Sequence, residues 1–146
     1  MPPMSFKDFR SGEGQPEIQN IEMTKSLGKS LDEHFVSLLT FQAQLKIMHW
    51  GTGSFAQHEA YGKTYASVDA GLDALVESYQ GYHGLIDFGS SCEFISFQNV
   101  EVNSWLGSML ECLNTMRGEF QESDLQNLTD ELISGISKLK YLLTLK

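Results

Sequence analysis

Between about residue 24 and residue 50 the side chains fall into helical order. Leu31, Phe35, Leu38, Gln42, Leu45 and His49, spaced four and three apart, make one stripe. Val36, Leu39, Ala43, Ile47 and Trp50 make a second stripe beside it, and Glu33, Ser37, Thr40 and Gln44 take another face. The pattern predicts one long helix with a wide buried face, stopped by Gly51.

Ser54-Phe-Ala-Gln57 then has the form of a capping box, which opens a second helix running to about Tyr79 or Gln80, before Gly81. Its apolar positions are Tyr61, Tyr65, Val68, Leu72, Leu75, Val76 and Tyr79. So short a connection predicts antiparallel neighbours. Periodicity is lost over residues 81–98, where Gly, Ser and aromatic residues gather, including Phe88, Phe94 and Phe97. That stretch predicts a long crossover holding at most a short helix. A third helix is expected over about 100–117, with Leu106, Met109, Leu110, Leu113 and Met116 inward and Gly118 near its end. Ser123-Asp-Leu-Gln126 is a second capping box, opening a fourth helix with Leu125, Leu128, Leu132, Ile136, Leu139 and Leu143 on one face. Two hairpins joined by one crossover describe an all-α, ferritin-like four-helix bundle over residues 23–146. Residues 1–22 hold all three prolines and read as an irregular arm.

Composition narrows the functional classes. The chain has 19 acidic and 10 basic residues, a formal charge of −9, which disfavours nonspecific contact with phosphate backbones. It shows neither a membrane-spanning apolar run nor a hydrophobic signal core. Cys92 and Cys112 lack paired or metal-ligand spacing, which fits a reducing cytoplasm while leaving a single disulfide between them open. Asp87-Phe-Gly89 imitates a kinase motif with the rest of the kinase set missing.

The residues that could carry chemistry lie around the first turn. On a wheel of roughly 100° per residue with Asp69 at zero, His58 falls near −20°, Asp73 near +40° and Glu77 near +80°. These acids therefore run along the margin of the second helix's apolar face. Small residues on its other side, Ser67, Ala70, Gly71 and Ala74, suggest a closely packed neighbour. Each candidate taken alone has a plain structural reading: the acids as a charged boundary, His49 as a satisfied or interface histidine, His58 as a polar residue of a first helical turn. Together, imidazole nitrogens and carboxylate oxygens suit Fe(II) and related first-row metals, whereas thiolates would suggest zinc. His49 and His58 flank the same turn, but Asp73 and Glu77 lie about 22 and 28 Å further along the helix axis. One chain cannot bring both pairs to one ion. A two-fold dimer of antiparallel hairpins can, giving two equivalent sites.

These residues resemble the Dps family of mini-ferritins. The likeness runs from His49-Trp50 through His58-Glu59 to Asp73 and Glu77, with the carboxylates four apart and at the family's separation from the second histidine. It implies that His49 and His58 of one subunit and Asp73 and Glu77 of its mate are iron ligands, with Trp50 beside the oxidation chemistry. It also implies Fe(II) oxidation by peroxide or dioxygen and storage of ferric mineral in a twelve-subunit shell. Asp69 is an extra acid nearby. Gly62 stands where the family places an aspartate, one helical turn after the second histidine. The turn between the histidines is also shorter than the family's. No Glu-x-x-His occurs, unlike the intrasubunit di-iron site of full-length ferritins. In the arm, Lys7 and Arg10 are outweighed by Asp8, Glu13 and Glu17, which argues against the family's DNA binding. A second expectation stands beside the first: a phage-encoded or similar relative that keeps the bundle for a structural or partner-binding role.

Overall fold

The computed structural model describes residues 29–145 apart from residue 90. The chain divides after Ser30, and the helical unit from Leu31 onward carries all that follows. The expected arm, its boundary at residue 23 and residues 24–28 of the expected first helix lie outside the described residues; Lys29 and Ser30 are not helical, and the helix begins at Leu31 instead.

Four helices make up this unit: α1 (Leu31–Gly51), α2 (Phe55–His83), α3 (Val102–Glu119) and α4 (Ser123–Leu142). Each helix packs on two others: α1 on α2 and α3, and α4 on α2 and α3. Among the described residues the backbones of the diagonal pairs do not approach closely, though their side chains share the core. Side-chain pairs give the directions. Trp105 of α3 stacks near Phe41 of α1, with ring centroids 4.9 Å apart, and Cys112 Sγ lies 3.3 Å from His34 Nδ1. The two helices therefore run antiparallel. Tyr82 bonds Asp124, and Gly71 lies against Leu132, which sets α2 antiparallel to α4. The result is an up-down-down-up bundle, as the sequence pattern predicts.

Its core is one continuous cluster. Phe35, Phe41, Leu45 and Met48 of α1 meet Tyr61, Val68 and Leu75 of α2, Leu106, Leu113 and Met116 of α3, and Leu125, Ile136 and Leu139 of α4. At one end Phe35, Tyr79 and Phe120 pack ring against ring. Cys92 is exposed and Cys112 buried, and the two do not form a disulfide. No described helix is long and apolar enough to cross a membrane.

Several local expectations are corrected. α2 continues through Gly81 to His83 and ends at Gly84, whose φ of 86° is the left-handed conformation that glycine tolerates best. Gly51 is the last residue of α1 and has no positive φ; its lack of a side chain serves packing, because a Cβ would lie 2.6 Å from Phe97 Cγ. Ser54 caps α2 by accepting from the Gln57 amide, but the Gln57 side chain turns to Thr52 and does not close the box. Ser123 is already helical; Glu122 stands at the cap position, and Gln126 bonds the Phe120 carbonyl instead. α3 is capped by Glu101, just ahead of Val102; the Glu101 carboxylate accepts the Ser104 amide at 2.7 Å.

The crossover, residues 84–101, is the main topological device. It leaves the end of α2 and runs the length of α1, pinned at successive levels. The Ile86 amide donates to Gln80, the Asp87 amide to Asp32, and Gln44 grips Ile95. The 3-10 turn Phe97–Asn99 then covers Gly51. Gln44, expected on the polar face, is accordingly buried.

Candidate metal site

The turn joining α1 to α2 brings His49 and His58 face to face. Their rings stack with centroids 3.8 Å apart and planes 24° apart. Each Nδ1 lies 2.9 Å from the other residue's backbone carbonyl oxygen. A carbonyl only accepts, so each Nδ1 carries a proton and donates it, and in the neutral ring each Nε2 keeps its lone pair. The His58 bond also satisfies a carbonyl in the last turn of α1, where helices run out of amide partners. The pair is thus a latch on the hairpin. It is also the arrangement typical of metal-binding imidazoles, in which the ring nitrogen away from the ion donates to a carbonyl or carboxylate.

Gly62 forms the floor of this latch. It lies one turn after His58 on α2, and a Cβ there would sit 2.9 Å from both Cε1 and Nδ1 of His49. The His49 ring occupies the place that a side chain at position 62 would need.

From the latch a ladder of side chains descends the groove between α1 and α2. Lys46 Nζ sits 4.3 Å from the centre of the Tyr65 ring and 5.8 Å from that of Trp50, whose side chain is 71% exposed. One turn on, Gln42 donates to Asp69. Below that, Phe35, Leu39, Leu72, Asp73, Val76 and Phe88 line a hollow of about 260 Å³, which also takes in Gln42 and Asp69. A neighbouring groove of about 390 Å³ runs under the crossover between Leu39, Ala43, Tyr65, Phe88, Cys92 and Phe94. Leu39, at the meeting of the two, is 49% exposed. Glu77 is exposed one turn beyond Asp73.

The face therefore has a cationic and imidazole-bearing end, an apolar middle and an acidic end. Because α2 is one continuous helix, the latch and the acids stay apart within a chain. Among the described residues, no three His, Cys, Asp or Glu side chains converge to hold an ion. The structure brings His49 and His58 together and sets Asp69 and Asp73 further along the same groove, with Glu77 exposed one turn beyond. The reciprocal bonds of the latch, the role of Gly62 and the Lys46–Tyr65 contact escape sequence reasoning. The first two depend on ring orientation, which helical spacing does not encode.

Residues 49–143 match a family whose description is "Family of unknown function (DUF5856)", so the match begins at His49 and takes in the whole of α2, α3 and α4. The chain is also similar to a protein of Enterobacteria phage T4, described as an uncharacterized 14.6 kDa protein in the mobD-ri intergenic region. Identity is 26% over 143 residues, covering 98% of this chain and 100% of the phage protein. No solved structure gives a significant match.

Proposed function

The chain belongs to this family of unknown function, and we propose that it works as a Dps-like iron-binding protein whose metal sites form between two copies. The observation that carries the reading is the reciprocal latch, which fixes the orientation of two imidazoles through their Nδ1 atoms and leaves each Nε2 outside those bonds. Support comes from the polarity of the α1/α2 face. A two-fold axis through its apolar middle lays the Lys46, His49 and His58 end of each copy over the Asp73 and Glu77 end of the other. Such an isologous contact is self-complementary, and it covers Leu39, Phe88 and Phe94. Two nitrogens and two carboxylates suit Fe(II).

Iron is the substrate in this reading. Each Fe(II) gives one electron to peroxide or dioxygen, two ions sufficing to reduce one peroxide to two hydroxides, and the ferric product is stored as mineral within a twelve-subunit shell. The net negative charge draws Fe(II) toward the protein. Anaerobic Fe(II) titration of the oligomer, with the His49→Ala variant alongside, tests it: saturable binding that the variant loses is expected. Variants His49→Ala and Asp73→Ala that oxidised iron as fast as the wild type would remove the assignment.

A second reading is favoured by the exposed apolar residues Leu39, Phe94 and Phe88 and by the likeness to a phage protein. In it a phage-encoded bundle keeps the fold as a structural or partner-binding piece. A defined oligomer that binds no metal in saturating Fe(II) is its expected signature.

A further inference from the structure

We infer that the two copies are aligned by an ion pair between Lys46 of one and Asp69 of the other, formed twice and without metal. The pair rests on the two-copy contact proposed above and concerns what sets its register before any ion arrives.

Neither charge is neutralised within its own chain. Lys46 Nζ lies over the Tyr65 ring, 4.3 Å from its centre, and among the described residues no carboxylate of the same chain comes within ion-pair distance of it. The Gln42 amide donates to Oδ1 of Asp69. That bond turns an exposed carboxylate toward the groove and leaves Oδ2 for a second donor.

Positions 58, 62, 66, 69, 73 and 77 of α2 fall within about 100° of arc and form one stripe along the helix. Pairing this stripe with its own copy, antiparallel about a two-fold axis, leaves one free setting along the helix. Placing His58 across from Glu77 of the other copy puts Gly62 across from Asp73 and Ala66 across from Asp69, with the axis at the level between Ser67 and Val68. Side chains of α1 overlie the two small positions: the His49 ring lies against Gly62, and Lys46 lies over Tyr65, beside Ala66. The register that sets both histidine levels against carboxylates therefore also sets Lys46 against Asp69. Slipping the copies by one helical turn brings like charges together. In one direction Lys46 meets the other copy's Lys46, and in the opposite direction Asp69 meets the other copy's Asp69. Like-charge contact of this kind suppresses the wrong alignments.

Mixing two variants of the full chain tests the pair, with sedimentation equilibrium in EDTA as the readout and circular dichroism as the check on folding. Lys46→Glu opposes two carboxylates across the contact, and Asp69→Lys opposes two ammonium groups. Each alone is expected to self-associate about tenfold more weakly than wild type, or worse. Their equimolar mixture is expected to recover wild-type association, because both contacts of the mixed pair then join opposite charges, an outcome that no interaction within one chain produces. If the mixture stays apart while Leu39→Asp also dissociates, the Lys46–Asp69 pair is overturned and the two-copy contact stands. Wild-type association in both single variants, with Leu39→Asp dissociated, has the same meaning. If wild type, both single variants and Leu39→Asp all associate alike, or if wild type is a monomer throughout, the pair and the contact both fall. Association of wild type only when Fe(II) replaces EDTA would overturn the claim that the pair forms without metal. A recovered mixture that binds no Fe(II) would keep the pair and remove the iron reading.

Discussion

Gln44 treats Ile95 as one β-strand treats another: its side-chain nitrogen donates to the Ile95 carbonyl at 2.8 Å, and its side-chain oxygen accepts the Ile95 amide at 2.9 Å. A single buried carboxamide thus satisfies both polar groups of one crossover residue. Replacing it by leucine keeps the volume but leaves those groups without partners. We expect Gln44→Leu to cost about 1–3 kcal/mol of stability. Amide hydrogen exchange should show Ile95 deprotected well before the α1 core, and unchanged protection would refute the pinning role.

The latch separates into two functions by substitution. Asparagine places an amide nitrogen near the position of the histidine Nδ1 but has nothing in place of Nε2. His58→Asn should therefore keep the bond to the His49 carbonyl and stay within about 1 kcal/mol of wild type in chemical denaturation. Metal binding should disappear all the same. A metal-binding Asn variant would mean that His58 is a latch only.

Two glycines of the same turn should respond differently. An alanine Cβ at Gly51 would press on Cβ, Cγ and Cδ2 of Phe97 at 2.6–2.8 Å, and a Cβ so near the backbone cannot rotate away. Overpacking of this kind costs about 1–3 kcal/mol. Gly53 has nothing within 4 Å of an added Cβ, so Gly53→Ala should remain within about 0.5 kcal/mol. Thermal midpoints of the pair would decide it, equal values counting against the Phe97 contact.

Acid should find a weak point between α3 and α4. The Arg117 guanidinium holds Asp130 in a two-pronged contact and keeps its carboxyl below the ordinary carboxylate range. A carboxyl with a lower pKa folded than unfolded binds fewer protons in the folded state. Its contribution is whole above the unfolded value and is lost as the pH falls through the folded one. Asp130→Asn should therefore flatten part of the decline in melting temperature below about pH 4 while changing little near neutrality, where an exposed pair contributes little. An identical acid limb in both proteins would exclude this pair as a source of the decline.

The polarity of the α1/α2 face makes a prediction about assembly. Leu39→Asp puts a charge at the apolar middle, and sedimentation should show the variant dissociated at concentrations where wild type associates. A variant as associated as wild type would move the contact elsewhere.

Much of the bundle was legible because helical spacing reports burial directly. Tyr61, Val68, Leu72 and Leu75, and likewise Leu125, Leu132, Ile136 and Leu139, are buried as their periodicity requires. Where the reading slipped, a long-range partner had overruled the local pattern. Gln44 looks polar until the crossover arrives to bond it. Leu39 belongs to an apolar stripe yet stays half exposed, because the crossover arches above it rather than covering it. The two glycines show the same limit: Gly51 answers to Phe97 and Gly62 to His49, and neither partner can be named from spacing. The closeness of His49 and His58 followed from the turn alone, whereas the direction of their rings depends on which carbonyl each Nδ1 finds.

The up-down-down-up order has an electrostatic consequence. Every pair of touching helices is antiparallel, so the partial positive charge at one helix's amino end lies beside the partial negative charge at its neighbour's carboxyl end. Like ends face each other only across the diagonals, where the described helix backbones lie farther apart. The four macrodipoles therefore largely cancel, and neither end of the bundle is polarised by its backbone. A cation approaching this protein is steered by side chains alone, so the field it meets can be redrawn by substitution without disturbing the fold.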